Sequence, residues 1–216
     1  MLILGPMIKN PSIEELDTSS KFSCELRLSY QDVAVFVMSH LKGRNAAMIT
    51  FWAVTVITAL LNVFMWIIVM RTPVHHSMIA GVVLGFVLIP LALAPLHEAI
   101  HYIFMRFSGA KDIRLGMDLK QGIIYLSAHR HVFGKRSFRI IASSPLLLIT
   151  ILFAFLIFAS ASPWLSWVFS SVLFMHTTMC IGDMVLLGYM QNYKPHPVYT
   201  WDDVESREAY FYVSQD

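Results

Sequence analysis

Hydrophobic positions along this chain fall into long runs rather than the short periodic segments of a soluble domain. Residues 47–70 contain no Asp, Glu, Lys or Arg and end at Met70-Arg71, a run of 24 residues. An α-helix needs roughly 20 apolar residues to cross hydrocarbon, so this run predicts a transmembrane helix. Similar runs cover 78–105, 140–161 and 164–190. Pro90 and Pro95 interrupt the second; each removes a backbone donor, predicting a kink just before residue 97 that opens the helix toward a water-filled pocket. The pattern therefore predicts an all-α integral membrane protein, with four transmembrane helices and a small cytoplasmic β element.

Outside these runs the period changes. Phe22, Cys24, Leu26 and Leu28 alternate with Ser23, Glu25, Arg27 and Ser29, the period of two that marks a strand. Ser29 and Asp32 resemble a capping box for a helix through Val33, Phe36, Val37, His40 and Leu41, expected to lie at the membrane surface. Residues 1–21 read as a loose leader; Met1 to Leu4, stopped by Gly5-Pro6, are too short for a signal-peptide core, which leaves insertion to the first span. Between the second and third spans, Ile113-Arg114-Leu115 and Ile123 to Leu126 flank Gly116 and Gly122, which predicts a hairpin beside the membrane. Ala209 to Val213 read as a last strand in a polar, turn-rich tail. The expected organisation is a leader over 1–46, a membrane core over 47–190 and a tail over 191–216, with 106–139 as the main polar loop.

Composition agrees with the runs and excludes a soluble globular domain: 56% of residues are hydrophobic and 14% charged, and mean hydropathy is +0.61. Only Cys24 and Cys180 are present, too few for a disulfide framework or a cysteine-rich zinc site. Eight Lys or Arg lie in 106–139, whereas the links after the first and third spans hold Arg71 alone and none. By the positive-inside rule both ends and the large loop face the cytoplasm. A net charge of +2 gives no reason to expect a nucleic-acid partner.

Within the second run lies His97-Glu98-Ala99-Ile100-His101. Histidines four residues apart on a helix face the same way and can close on one metal ion, while the intervening glutamate reaches a water there. Between Asp32 and Asp112 the only acidic residue is Glu98, and between Asp118 and Asp202 the only one is Asp183. A carboxylate inside a membrane is costly and by default functional. His97 and Asp183 each lie nineteen residues past the start of their runs, roughly 28 Å along a helix, so both reach the same depth in helices that run the same way. His97, His101 and Asp183 then supply three ligands with an open fourth position, the pattern of catalytic zinc, Zn2+. Glu98 is the candidate acid/base for peptide-bond hydrolysis. His176, two turns before Asp183, is the alternative third ligand or a supporting group. His129 and His131 are further candidates, although loop histidines are more often simply solvated. Asn62 is read as a helix-to-helix hydrogen bond.

These residues resemble those of the zincin peptidase family of small prokaryotic membrane proteins, itself similar to the site-2 intramembrane metalloproteases. The matching pieces are His97 to His101, the basic segment through Tyr125 and Arg136-Ser137-Phe138-Arg139 to Ser144-Pro145, and Gly182-Asp183, together spanning roughly 95–190. The resemblance implies zinc at His97 and His101, Glu98 as acid/base and Asp183 as the aspartate ligand. It also implies that a membrane-edge strand, here Ile123 to Leu126, receives a membrane protein or peptide substrate by strand addition. Site-2 proteases usually have Asp followed by Gly near an Asn-Pro, whereas here Gly182 precedes Asp183 and no Asn-Pro lies near it. Two alternatives of other classes are a proteolytically silent scaffold or chaperone with a relict zinc site, and an ion transporter that uses Glu98, Asp183 and His176 as a relay.

Overall fold

The computed structural model describes residues 10–73, 77–118 and 123–215; Met1 to Leu4 and Gly122 at the hairpin tip lie outside the described residues. The leader is not loose over its described part. Helix α1 (Ile13–Thr18) begins at a capping box, in which Ser12 Oγ accepts the Glu15 N–H at 3.1 Å and the Glu15 carboxylate accepts the Ser12 N–H at 2.7 Å. Its Leu16 packs against Val132, Trp201 and Tyr212. Strand β1 (Phe22–Ser29) follows as expected, then a 3-10 turn (Tyr30–Asp32) and α2 (Val33–His40). The expected capping box at Ser29 and Asp32 does not form: Ser29 caps the 3-10 turn through the Gln31 N–H, and Asp32 makes no capping bond.

Helix α3 (Ala46–Arg71) starts at Asn45, whose side chain accepts the Met48 N–H at 3.0 Å. The second apolar run forms α4 (Met78–Val83), a wide π turn (Leu84–Leu88) and α5 (Ile89–Phe107). The irregularity therefore lies two to three turns earlier than Pro95, just ahead of Pro90. Pro90 lacks the N–H that would bond the Phe86 carbonyl and its ring crowds that carbonyl, so the turn before it widens. The hairpin is β2 (Ile113–Asp118) with β3 (Ile123–Ala128), followed by the short strand β4 (Phe133–Gly134). Helix α6 (Lys135–Ala159) begins five residues before the expected span, which puts Lys135, Arg136 and Arg139 in its first turns.

The fourth run is not one continuous helix. It forms two helices, α7 (Pro163–Met179) and α8 (Ile181–Gln191), bent by 42° across Cys180. Three helical stretches, Ala46–Arg71, Met78–Phe107 and Lys135–Ala159, are long and apolar enough to cross a membrane, and the bent pair makes a fourth only if taken as one span. Asn62 bridges α3 to α7, donating to Ser170 Oγ at 3.2 Å and Ser171 Oγ at 2.7 Å, as expected for a buried amide among helices.

The tail holds two strands, β5 (Val198–Asp203) and β6 (Glu208–Ser214), where one was expected. They join β1 and β4 in an antiparallel sheet of order β1-β6-β5-β4, so the two ends of the chain build one element. Among the described residues the chain is thus mostly helical with two small sheets, in which β4 and β5 add to the expected first strand, hairpin and last strand. Phe211 and Val213 pack with Met190 of α8, and Ala209 lies against the cluster around Met184, seating the sheet on the helices.

Close helix contact depends on Gly85, where an added Cβ would stand 2.7 Å from the Ser171 Cβ. Gly85→Val is expected to lower stability by about 2 kcal/mol, read as a fall in Tm of the detergent-solubilised protein. Gly182→Ala, whose methyl meets nothing within 4 Å, should leave Tm unchanged or slightly raised.

Candidate metal centre

His97 and His101 stand one turn apart on the inward face of α5, at 8% and 6% exposure. Asp183 enters from the first turn of α8, where the helix's unpaired N–H groups favour a negative charge. The bend at Cys180 supplies that helix start in the middle of an apolar run. His97 Nε2 and His101 Nε2 are 3.0 Å apart, and Asp183 Oδ2 is 3.3 Å from the first and 3.4 Å from the second. Ligands at the usual zinc distance in a tetrahedral site are about 3.3 Å from one another, so this nitrogen and carboxylate set fits zinc.

The far nitrogens of both rings are held. His101 Nδ1 is 3.0 Å from the Ile141 carbonyl of α6. A carbonyl only accepts, so Nδ1 carries the proton and Nε2 keeps its lone pair. His97 Nδ1 is 3.2 Å from Nε2 of His176 on α7. When His97 donates in that pair, its Nε2 is likewise bare. His176 is fully buried and packs against Cys180, whose Sγ is 3.7 Å from His176 Nε2 and 4.0 Å from His97 Nδ1. His97, His176 and Cys180 therefore form a second donor group, but on the opposite side of the His97 ring.

Access separates the two groups. A cavity of about 270 Å³ is lined by His97, Glu98, His101 and Asp183, while His176 and Cys180 do not border it. Across the cavity lies β3. Leu126 of that strand and Glu98 border the same space, beside the three donors. The neighbouring Tyr125 lies flat over Gly116 on the paired strand, where a Cβ would come within 2.3 Å of the ring. Tyr30 holds the hairpin from the other side, its ring 4.9 Å from that of Tyr125 and its hydroxyl donating to Ser127 Oγ at 2.9 Å.

His129 and His131 are not among the grouped donors. His129 Nδ1 accepts the Val204 N–H at 3.2 Å and lies 3.9 Å from an Asp203 oxygen, and the His131 ring packs edge-on against Phe133. Two cavity residues escaped the sequence reading. Tyr30 carries no chemical motif and reaches the site through tertiary packing. Asp202 reads as part of a polar turn, yet Val198, Thr200 and Asp202 alternate on one strand face, a signal the sequence does contain.

Burial raises the Asp202 carboxyl from 3.8 to about 7. Between those values the folded protein holds a proton that the unfolded chain has lost, so stability falls as pH rises through the window and levels off above it. Asp202→Asn removes this dependence. Relative to wild type the variant should gain about 1–2 kcal/mol on going from pH 5 to pH 8, less than the full displacement of the pKa would give because the cavity admits water. Thermal unfolding in detergent at the two pH values measures it.

Residues 90–197 match the model of a family described as "Putative zincin peptidase", a match covering half of the chain. The matched segment includes His97, Glu98, His101, His176 and Asp183. No curated protein and no solved structure matches the chain. With two imidazoles and a carboxylate gathered at zinc spacing, the chain belongs to this zincin peptidase family, whose description points to a zinc-dependent peptidase.

Proposed function

We propose that this chain is a membrane-embedded zinc endopeptidase of the site-2-protease type. It holds Zn2+ on His97, His101 and Asp183, with Glu98 as its acid/base. The observation that carries the reading is the convergence of three donor atoms at zinc spacing on a cavity that also holds Glu98. Zinc, when bound there, supplies Lewis acidity toward water and the scissile carbonyl. His101 is kept in the tautomer that leaves Nε2 free by the Ile141 carbonyl, and His97 by His176. Glu98, on the wall of the same cavity, takes the proton from the attacking water and returns it to the leaving amine. His176 and Cys180 are a sealed support rather than an open site, because a catalytic metal needs a position that substrate can reach.

The apolar helices support a membrane setting for this chemistry. The basic start of α6 and Arg106 at the end of α5 lie at the end of the bundle that carries the hairpin and the sheet. The positive-inside rule turns that end, with both chain termini, to the cytoplasm. The substrate is a membrane-associated protein or peptide. Among the described residues strand β3 pairs with β2 on one edge only, and its residues Ile124 to Ser127 border the cavity of the donor group, so an extended substrate backbone added there would run past Glu98.

Purified wild type should contain about one zinc per chain, and Glu98→Gln should keep that zinc while losing cleavage by a factor on the order of 10³. Metal analysis beside cleavage of a fluorogenic membrane-peptide substrate measures both, and an unimpaired Glu98→Gln enzyme contradicts the proposal. Asp183→Ala should lose the zinc outright. His176→Gln should retain it with affinity weakened roughly 10- to 100-fold, the cost of disturbing a ligand's hydrogen-bond partner.

A further inference from the structure

The sheet presents one of its faces to the cavity, and its register shows which residues make that wall. Leu28, Ala209 and Asp202 stand opposite one another across β1, β6 and β5, and Leu26, Phe211, Thr200 and Phe133 form the next row on the same face. Asp202 is thus a carboxylate in an otherwise apolar row, and it borders the same cavity as the metal centre. Its small neighbour Ala209 leaves its side open.

Nothing in the fold uses this carboxyl. Asp202 supports the chain through its backbone, whose carbonyl accepts the Arg130 N–H at 2.8 Å, a bond any residue could make. Among the described residues no side chain forms a hydrogen bond or ion pair with the carboxyl, and no Lys or Arg lines the cavity. A carboxylate withdrawn from water without a partner is costly, and the cost is relieved by a proton or by a cation brought from outside. Apolar side chains on the other walls, including Met105, Phe138 and Leu186, suit the methylene stem of a long basic side chain.

We propose that Asp202 is the recognition residue of a substrate subsite that takes a lysine or arginine side chain of the peptide bound at the metal centre. The subsite rests on the peptidase reading for its substrate. Its recognition chemistry, however, is open to measurement without cleavage.

The test uses the full-length, zinc-loaded Glu98→Gln protein in detergent as a binding scaffold. A library of N-acetylated, C-amidated apolar heptapeptides, randomised at one position at a time, is captured and sequenced by mass spectrometry. Acetylation confines positive charge to side chains. The expected result is enrichment of Lys and Arg over norleucine at one position by about tenfold, the scale of a well-desolvated ion pair. Asp202→Asn in the same background should bring that ratio near one, and Asp202→Lys should turn it toward Glu and Asp. Zinc content and Tm of each variant report folding, and Asp202→Ser replaces any that fails to fold. Enrichment that persists in Asp202→Asn, basic side chains not enriched in the parent, or no peptide captured by the folded parent each overturns the subsite. If wild type cleaves no peptide while Asp202-dependent enrichment holds, the subsite stands and the peptidase reading falls.

Discussion

Two imidazole nitrogens and a carboxylate oxygen stand within 3.4 Å of one another inside a body of apolar helices, and much of the architecture holds them there. Polar groups at such depth are costly unless each is paired or serves a function. Each helix around the centre contributes one part. The motif itself comes from α5. Helix α6 gives the Ile141 carbonyl that fixes His101, and α7 gives His176, which faces His97. A start for α8 is created by the bend at Cys180, so Asp183 arrives on a helix N-terminus instead of halfway along a continuous span. The widened turn before Pro90 and the glycines facing Trp167 and Ser171 let α5 and its lead-in lie close against α7. Without that approach the His97–His176 contact would not form.

The sheets complete the site from one end of the bundle. A hairpin alone is marginally stable in water, and β2–β3 is steadied by the Tyr125 ring over Gly116 and by Tyr30 from the beginning of the chain. The four-stranded sheet closes the cavity with residues from both chain ends. Metal centre, Glu98, strand edge and Asp202 therefore share one enclosure, although 104 positions separate Glu98 from Asp202.

Legibility in the sequence followed the range of the interactions. His97, Glu98 and His101 were readable because their relation lies within one helical turn. Asp183 was readable because a lone carboxylate in an apolar run is conspicuous, and the two runs could be compared for depth. The bend at Cys180 was not, since hydropathy does not register a break without proline or charge. The capping box at Ser12 and Glu15 was present as a pattern and passed over in favour of the local polarity. Pairing of β1 with β6 joins nearly opposite ends of the chain, so neither strand's alternation names its partner. His176 was visible as a candidate, but only packing shows that it meets His97 on the Nδ1 side, away from His101 and Asp183.

The central claim is that the open donor group, and not the sealed one containing Cys180, holds the metal. Zinc K-edge X-ray absorption on the purified, zinc-loaded protein tests it most directly, because nitrogen and oxygen ligands lie at about 2.0–2.1 Å and a thiolate sulfur at about 2.3 Å. The account predicts a first shell of light atoms only, with the multiple-scattering pattern of two imidazoles. A sulfur contribution at the longer distance would place the ion with His176 and Cys180 and contradict it.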